Sequence, residues 1–314
     1  MATPTVTATG PVLDAAPSQM RLVGRRRPGR WVAATVAVVL GAMFVNTLVT
    51  NERFEWPTVA QYFTQESVLR GLWLTLWLTA VTFAAGFVLG IGLAAMRLWG
   101  GPLLQSISLG FVWIVRSVPP LVLLLFWFQL ASLYPRLSLG IPFGPEFTSV
   151  DTTHLIGPLT AAFIALTIDV AAFAAEIVRG GLVSVDDGQT EAARSLGLAP
   201  SRIFRRIVLP QAMPAIVPAS GNLLIGLLKS TSLVSVIAVT DLLYSVQLVY
   251  NQNFKVMPLL LVATIWYIVI TSLLAIGQYF VERRFARGRR DARPFADILR
   301  DAARLRPRLP GTPR

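Results

Sequence analysis

The chain carries a succession of long apolar runs, and a lipid bilayer is the solvent such runs fit. Residues 31–50 hold 20 residues without a charge. A helix rises about 1.5 Å per residue, so about 20 residues cross the roughly 30 Å hydrocarbon core. Further runs lie at 71–96, 156–178, 213–239 and 258–281, and a shorter one at 121–134 makes a third span with its flanks. Charged residues are only 14% of the chain, against roughly 25% in ordinary soluble domains. The sequence predicts an all-α, polytopic membrane protein of six transmembrane helices. Gly86 and Gly90, four apart in the second run, offer a small-residue face for close helix packing.

The charges give the runs an orientation. Five arginines lie in residues 21–30, five in 179–206 and eleven after Glu282. Arginine beside apolar spans marks the cytoplasmic side. That places both termini and the loop 179–212 inside, and the segments 51–66, 135–155 and 240–257 outside. A net charge of +12 would suggest nucleic acid in a soluble protein. Here the basic residues flank spans, so membrane lipid is the expected partner and nucleic acid is not. A basic block before an apolar run also resembles a signal peptide, but residues 31–50 are too long and lack a small-residue cleavage site. They read as an extra N-terminal span after a disordered basic leader, residues 1–30. A transmembrane domain at 68–285 and a basic tail at 286–314 complete the order.

Several chemistries are excluded. There is no cysteine, so disulfides and thiolate metal sites are absent, and His154 is the sole histidine. No Ser-His-Asp arrangement is available. Gly221, Gly226, Lys229 and Ser230 resemble a phosphate loop at a glance, but a true one needs Lys directly after the second glycine, on a strand-to-helix turn. Two leucines intervene within an apolar run. The chain is expected to bind no ATP, metal or other cofactor and to catalyse no reaction.

The most informative polar stretch is residues 187–210, between the fourth and fifth spans. It has the grammar of two short helices joined by a glycine. Asp187 or Thr190 can cap the first through a side-chain oxygen. Gly197 can end it in the left-handed conformation, Pro200 suits the first turn of the second, and Pro210 stops that helix or bends the chain out of it.

Glu191-Ala192-Ala193, three residues, Gly197, nine residues, then Ile207-Val208-Leu209-Pro210 resembles the EAA signature of bacterial ABC importer permeases. The resemblance implies a type I importer-like core with a cytoplasmic coupling helix between the fourth and fifth spans. It implies that Gln189, Glu191, Ala192, Ala193, Leu196 and Gly197 couple to a separate ATPase, where ATP is hydrolysed. It also implies two such ATPase subunits, a second permease subunit (the same or related), an extracytoplasmic solute-binding protein, and a place in the bacterial cell (inner) membrane. Ala175 to Gly181, Gly188-Gln189-Thr190 and Lys229-Ser230-Thr231-Ser232-Leu233 resemble the polar amino-acid branch of that family. The branch usually has Asn where Asp169 stands, Gln where Leu123 stands and Asp where Ser230 stands. These departures leave room for another small organic ion as cargo, an opine or a quaternary amine. An ATP-independent secondary transporter is the rival outside the family.

An ionisable side chain within a span usually faces a cavity or a partner, because it costs roughly 2.5–3.5 kcal/mol at mid-bilayer. Asp169 and Lys229 are the candidates, with Ser230 and Thr231 beside Lys229 in the pathway. A rise of about 1.5 Å per residue puts the two charges about 13 and 24 Å from the inner edge, so a direct pair is not required. Glu176 suits an ion pair with an arginine, and Arg116 the lipid headgroup zone.

Overall fold

The computed structural model describes residues 28–141 and 146–285. The expected leader up to residue 27 and the tail 286–314 lie outside the described residues.

The chain divides into two units at residue 52. In the first, α1 (Pro28–Thr50) is a single apolar helix whose Val36, Leu40 and Phe44 are exposed. Its hydroxyls are returned to the helix: Thr47 donates to the Met43 carbonyl at 2.9 Å and Thr50 to that of Asn46 at 2.8 Å. That leaves little unpaired polarity for lipid to meet.

The second unit begins with a short α2 (Trp56–Phe63) and then α3 (Glu66–Trp99), 34 residues long. At about 1.5 Å per residue α3 exceeds the roughly 30 Å hydrocarbon core. Next come α4 (Pro102–Ser117) and α5 (Pro120–Phe128), bent by 101° to each other. Here the expected third span, 121–134 with its flanks, is broken: α5 has only nine residues, about 13 Å of helix, and reaches the length of a span only together with α4. Val118 and Pro119 each precede a proline, which disfavours the α region, and both are extended, with ψ of 129° and 138°. The described residues thus hold five helices long and apolar enough to cross, and a sixth span only if the bent pair counts as one. A single turn, α6 (Leu130–Leu133), leads into a hairpin of β1 (Arg136–Gly140) and β2 (Glu146–Asp151), antiparallel, with Arg136 opposite Asp151. This small sheet was not anticipated from the apolar runs.

After the turn α7 (Thr152–Leu155), α8 (Pro158–Val183) runs through the middle of the unit. The polar element follows as α9 (Asp187–Ser195) and α10 (Pro200–Ile203). A π turn at Phe204–Val208 joins α10 to α11 (Leu209–Ser230), and a 3-10 segment, Thr231–Ile237, continues it. The stretch expected as a short outer segment, 240–257, is mostly a helix, α12 (Leu242–Asn253), before the last span, α13 (Val256–Phe285).

Lipid tails are as apolar as leucine, so helices in a bilayer associate through close packing. Alpha-8 is built for that: Ala161, Ala162, Ala165, Ala171, Ala172, Ala174 and Ala175 are all buried. Gly86 and Gly90 of α3 are the small face the sequence offered, and they meet α8. A Cβ at Gly86 would fall 2.6 Å from the Val170 side chain, and one at Gly90 2.6 Å from the Cβ of Ala174.

The end of the unit away from α9 is tied by polar contacts. Asp241 is fully buried and caps α12, accepting from the Tyr244 amide at 2.8 Å and from the Tyr267 hydroxyl at 3.4 Å. Thr75 of α3 accepts from the Leu242 amide at 3.0 Å. Lys255 donates to Glu55 at 2.6 Å, and that hydrogen bond with Thr58 holds the Glu55 carboxyl below its usual range. The lowered value means the clasp is present at neutral pH and lost only on acidification through it. Trp266 donates to the Phe63 carbonyl at 2.9 Å, and the two rings stack at 4.6 Å.

Gly90→Leu places side-chain atoms inside the α3–α8 contact, whereas Gly92 has open space around it. Overpacking costs about 1–3 kcal/mol. The thermal unfolding midpoint of the purified chain should fall for Gly90→Leu and stay near that of the parent for Gly92→Leu.

Candidate functional site

The polar element protrudes at one end of α8 as a shape fixed by its own hydrogen bonds. Neither expected cap is used. Asp187 is the first helical residue, and Asp186, one position earlier, caps α9, its side chain accepting from the Gly188 amide at 2.8 Å. The preceding Ser184–Val185 turn, still bonded to the end of α8, sets that phase. Gly197 does end the helix as expected, with φ +72°. Its amide donates to the Arg194 carbonyl at 2.9 Å, and the Leu198 amide to that of Ala193 at 3.2 Å. That pair of bonds is the Schellman arrangement, in which glycine takes the left-handed position without a Cβ clash.

The side chains divide cleanly. Ala193 is buried, on the side where α9 meets α10 and the π turn. Gln189, Glu191 and Ala192 are exposed, as is Gly197, and Leu196 is 80% exposed. At 100° per residue, Gln189, Ala192 and Leu196 fall on one face within about 60° of arc. An exposed leucine at the tip of a rigid helix end, among small and polar neighbours, is a surface shaped for a partner.

Pro200 opens α10 as expected, but Pro210 neither stops the helix nor turns the chain out. Residues from Pro200 to Ile237 form one continuous apolar helical run. The π turn is the reason. The Leu209 amide reaches the Phe204 carbonyl, five residues back, and the wider turn accommodates the proline that follows.

Glu176 stands where this element joins the spans. It accepts from Arg97 of α3 and, at 2.8 Å, from Arg179. All three side chains are partly exposed, between 22% and 31%. The Arg116 guanidinium, expected in the headgroup zone, lies over the Phe173 ring at 5.2 Å and so has a protein partner. Trp99, at the end of α3, packs edge-on to Phe204 at 5.6 Å.

None of the expected pathway residues Asp169, Lys229, Ser230 and Thr231 lines the apolar groove described below. Asp169 is half-buried on α8 and makes no hydrogen bond or ion pair among the described residues. Lys229 is exposed and equally without an ion pair among the described residues, and Ser230 is half-buried. Thr231 is fully buried, its hydroxyl donating to the Leu228 carbonyl at 2.6 Å. A groove of about 800 Å³ lies between α3, α11 and α13, with Val178 and Leu182 of α8 also in its wall, and its lining is almost wholly apolar. Sequence reasoning missed the buried carboxylate Asp241. The available signal was an aspartate just before the run Leu242-Leu243-Tyr244, the pattern of a helix cap. Among the described residues no acidic or histidine cluster could hold a metal.

Residues 86–287 match the family described as binding-protein-dependent transport system inner membrane component. The chain is 41% identical to the arginine transport system permease protein ArgU of Corynebacterium glutamicum over 266 residues, 84% of this chain and 82% of that one. It is 33% identical to the probable glutamine ABC transporter permease protein GlnM of Bacillus subtilis, covering 68% of this chain and 91% of the relative. Among solved structures it resembles that of an amino acid ABC transporter with histidines, at 30% identity and TM-score 0.59, covering 69% of this chain and 94% of the other.

Removing Glu176 leaves Arg97 and Arg179 facing each other in a partly dry setting. Exposed pairs contribute about 0–1 kcal/mol and breaking a buried one costs about 3–5, so Glu176→Ala should cost about 1–3 kcal/mol in stability. Arg97→Ala should cost less, because Arg179 still serves the carboxylate. The two unfolding midpoints, compared in the same detergent, check the order.

Proposed function

The chain belongs to the family of binding-protein-dependent transport system inner membrane components, and from that premise we propose how its residues serve an ABC importer that takes up a cationic amino acid. The chain is a membrane-spanning transport permease for amino acids, not an enzyme, and permeases of this kind work with an ATPase and a binding protein. The finer assignments are these. Two ATPase subunits bind on the cytoplasmic side, and the arginine distribution supports the α9 end as that side. A second permease subunit completes the pathway. The binding protein delivers cargo at the end bearing α2 and α12, and both termini are cytoplasmic.

Coupling is assigned to α9 and its C-terminal turn. The observation that carries this is Leu196, 80% exposed on a helix end closed by the Gly197 and Leu198 amides. Ala192 and Gly197 let a partner surface come close, Gln189 supplies a polar contact beside the leucine, Glu191 one on another face of the helix, and Ala193 anchors the element from below. On closure of the ATPase dimer, the displacement enters the spans through Glu176 on α8 and Phe204 at the foot of α11.

Cargo recognition is assigned to Asp169. A half-buried carboxylate within a span, with no cation beside it among the described residues, suits a substrate guanidinium or ammonium. The likeness to an arginine permease over most of the chain supports a basic cargo. Lys229, on a different helix and at a different depth, suits the substrate carboxylate.

Two experiments separate these assignments. Gly197→Pro and Glu191→Lys should still insert but lose the cognate ATPase on pull-down, and normal recovery of the complex would refute the coupling role. Asp169→Asn should lower arginine uptake by about tenfold or more, the usual size of a lost charge-assisted hydrogen bond, while glutamine competition strengthens. Unchanged arginine uptake would remove Asp169 from the pathway.

A further inference from the structure

The groove between α3, α11 and α13 is distinct from every residue assigned above to cargo. Asp169, Lys229, Ser230 and Thr231 do not line it. Its walls include Ile91, Trp99, Met213 and Val281, and its volume is about 800 Å³. It opens along spans whose outer surfaces face lipid, where an apolar furrow is occupied by the solvent of that depth, an acyl chain.

Its end near α9 is basic. Arg284 follows Val281 by three residues and Gly277 by seven, which keeps it on the groove side of α13 one turn beyond the lining. Arg205 and Arg206 sit in the π turn between Phe204 and Leu209, both of which line the groove. All three arginines are exposed, and none belongs to an ion pair among the described residues. The π turn matters here. By inserting an extra residue into the helix it brings Phe204 onto the groove wall and leaves two adjacent arginines at its mouth. Trp99, also at the mouth, is the residue type that favours the headgroup level.

We propose that this groove is a binding site for an anionic phospholipid, with one acyl chain along α11 and the phosphate held by Arg205, Arg206 and Arg284. Charge complementarity selects this occupant: basic pockets between spans on the cytoplasmic side bind anionic headgroups, the lining holds no carboxylate, and the nearby Glu282 is engaged by Gln278. The orientation is that of the proposed function, but binding itself does not depend on transport or on the cargo.

Native mass spectrometry of the purified full chain, titrated with phosphatidylglycerol or phosphatidylcholine, tests this. Phosphatidylglycerol should be retained preferentially. The triple variant R205Q/R206Q/R284Q should lower its retention by about tenfold. Gly277→Trp, at a position with open space around it, fills the groove without changing charge and should lower retention as much. A photo-reactive residue at Met213 should label phospholipid. Equal retention of the two lipids, undiminished retention in both variants, or labelling of a second copy of the chain instead would each overturn the proposal. If arginine uptake fails while selective lipid retention persists, the transport assignment is wrong and the lipid site stands.

Discussion

The contact between α3 and α8 at Gly86 and Gly90 is the constraint from which the rest of the second unit follows. In water a helix pair is driven together by burying apolar surface, whereas in lipid that drive is largely absent and backbone proximity has to supply the attraction. Two glycines facing Val170 and Ala174 permit it, and the alanines of α8 let the other helices approach equally closely. Once α8 is fixed in this way, its C-terminal end has one place to go. Glu176 meets Arg97 at the matching depth of α3, and Trp99 one half-turn later reaches Phe204. The polar element is therefore held between two points of a stiff helix pair.

The other attachment of that element is softer. Pro210, Pro214 and Pro218 recur every four residues at the start of α11. Each lacks an amide N–H, so the carbonyls of Arg206, Pro210 and Pro214 lose the donor four residues on. The π turn at Phe204–Val208 widens the same stretch. Farther along, Gln278 of α13 donates to the Pro218 carbonyl at 3.2 Å, a tie from a neighbouring helix to the same stretch. A displacement at α9 thus meets a stiff helix on one side and, on the other, a helix with an interrupted hydrogen-bond ladder.

How much of this was legible depended on whether one residue type dominated locally. Five apolar runs became five long helices because nothing competes with helix formation when no water is present to satisfy the backbone. Gly197 was legible because a positive φ at a helix end leaves few alternatives to glycine. The run at 121–134 was legible as apolar enough for a span with its flanks, but its shape was not: the Pro119-Pro120 pair forces a sharp corner and hydropathy carries no information about direction. Pro210 misled for the converse reason, since the five-residue π turn before it carries on a helix that proline alone would end. Asp186 and Asp187 are equivalent by residue type, and only the way α8 ends decides which one caps. Asp241 carried a local cap signal through Tyr244, but its burial against Tyr267 of another helix was not legible from neighbouring residues. Asp169 and Lys229 were visible as charges within spans, yet what they face is set by how separate helices assemble.

The exposed face of α9 gains its significance from what is already satisfied beneath it. A free loop bearing a leucine would lose conformational entropy on docking, and that cost would be subtracted from the affinity. Here Asp186 closes one end of the helix, the two bonds around Gly197 close the other, and Ala193 is packed. Leu196 is left with few degrees of freedom to lose beyond its own rotamers. Substitutions at Gly197 and at Leu196 should therefore weaken a partner complex by different routes. A β-carbon at Gly197 opposes the left-handed φ, loosening the helix end and the leucine's position with it, whereas Leu196→Ala leaves that geometry intact and removes only the contact. Hydrogen exchange at the Leu198 amide, which donates to the Ala193 carbonyl in the closed turn, distinguishes them: it should quicken in Gly197→Ala and stay slow in Leu196→Ala.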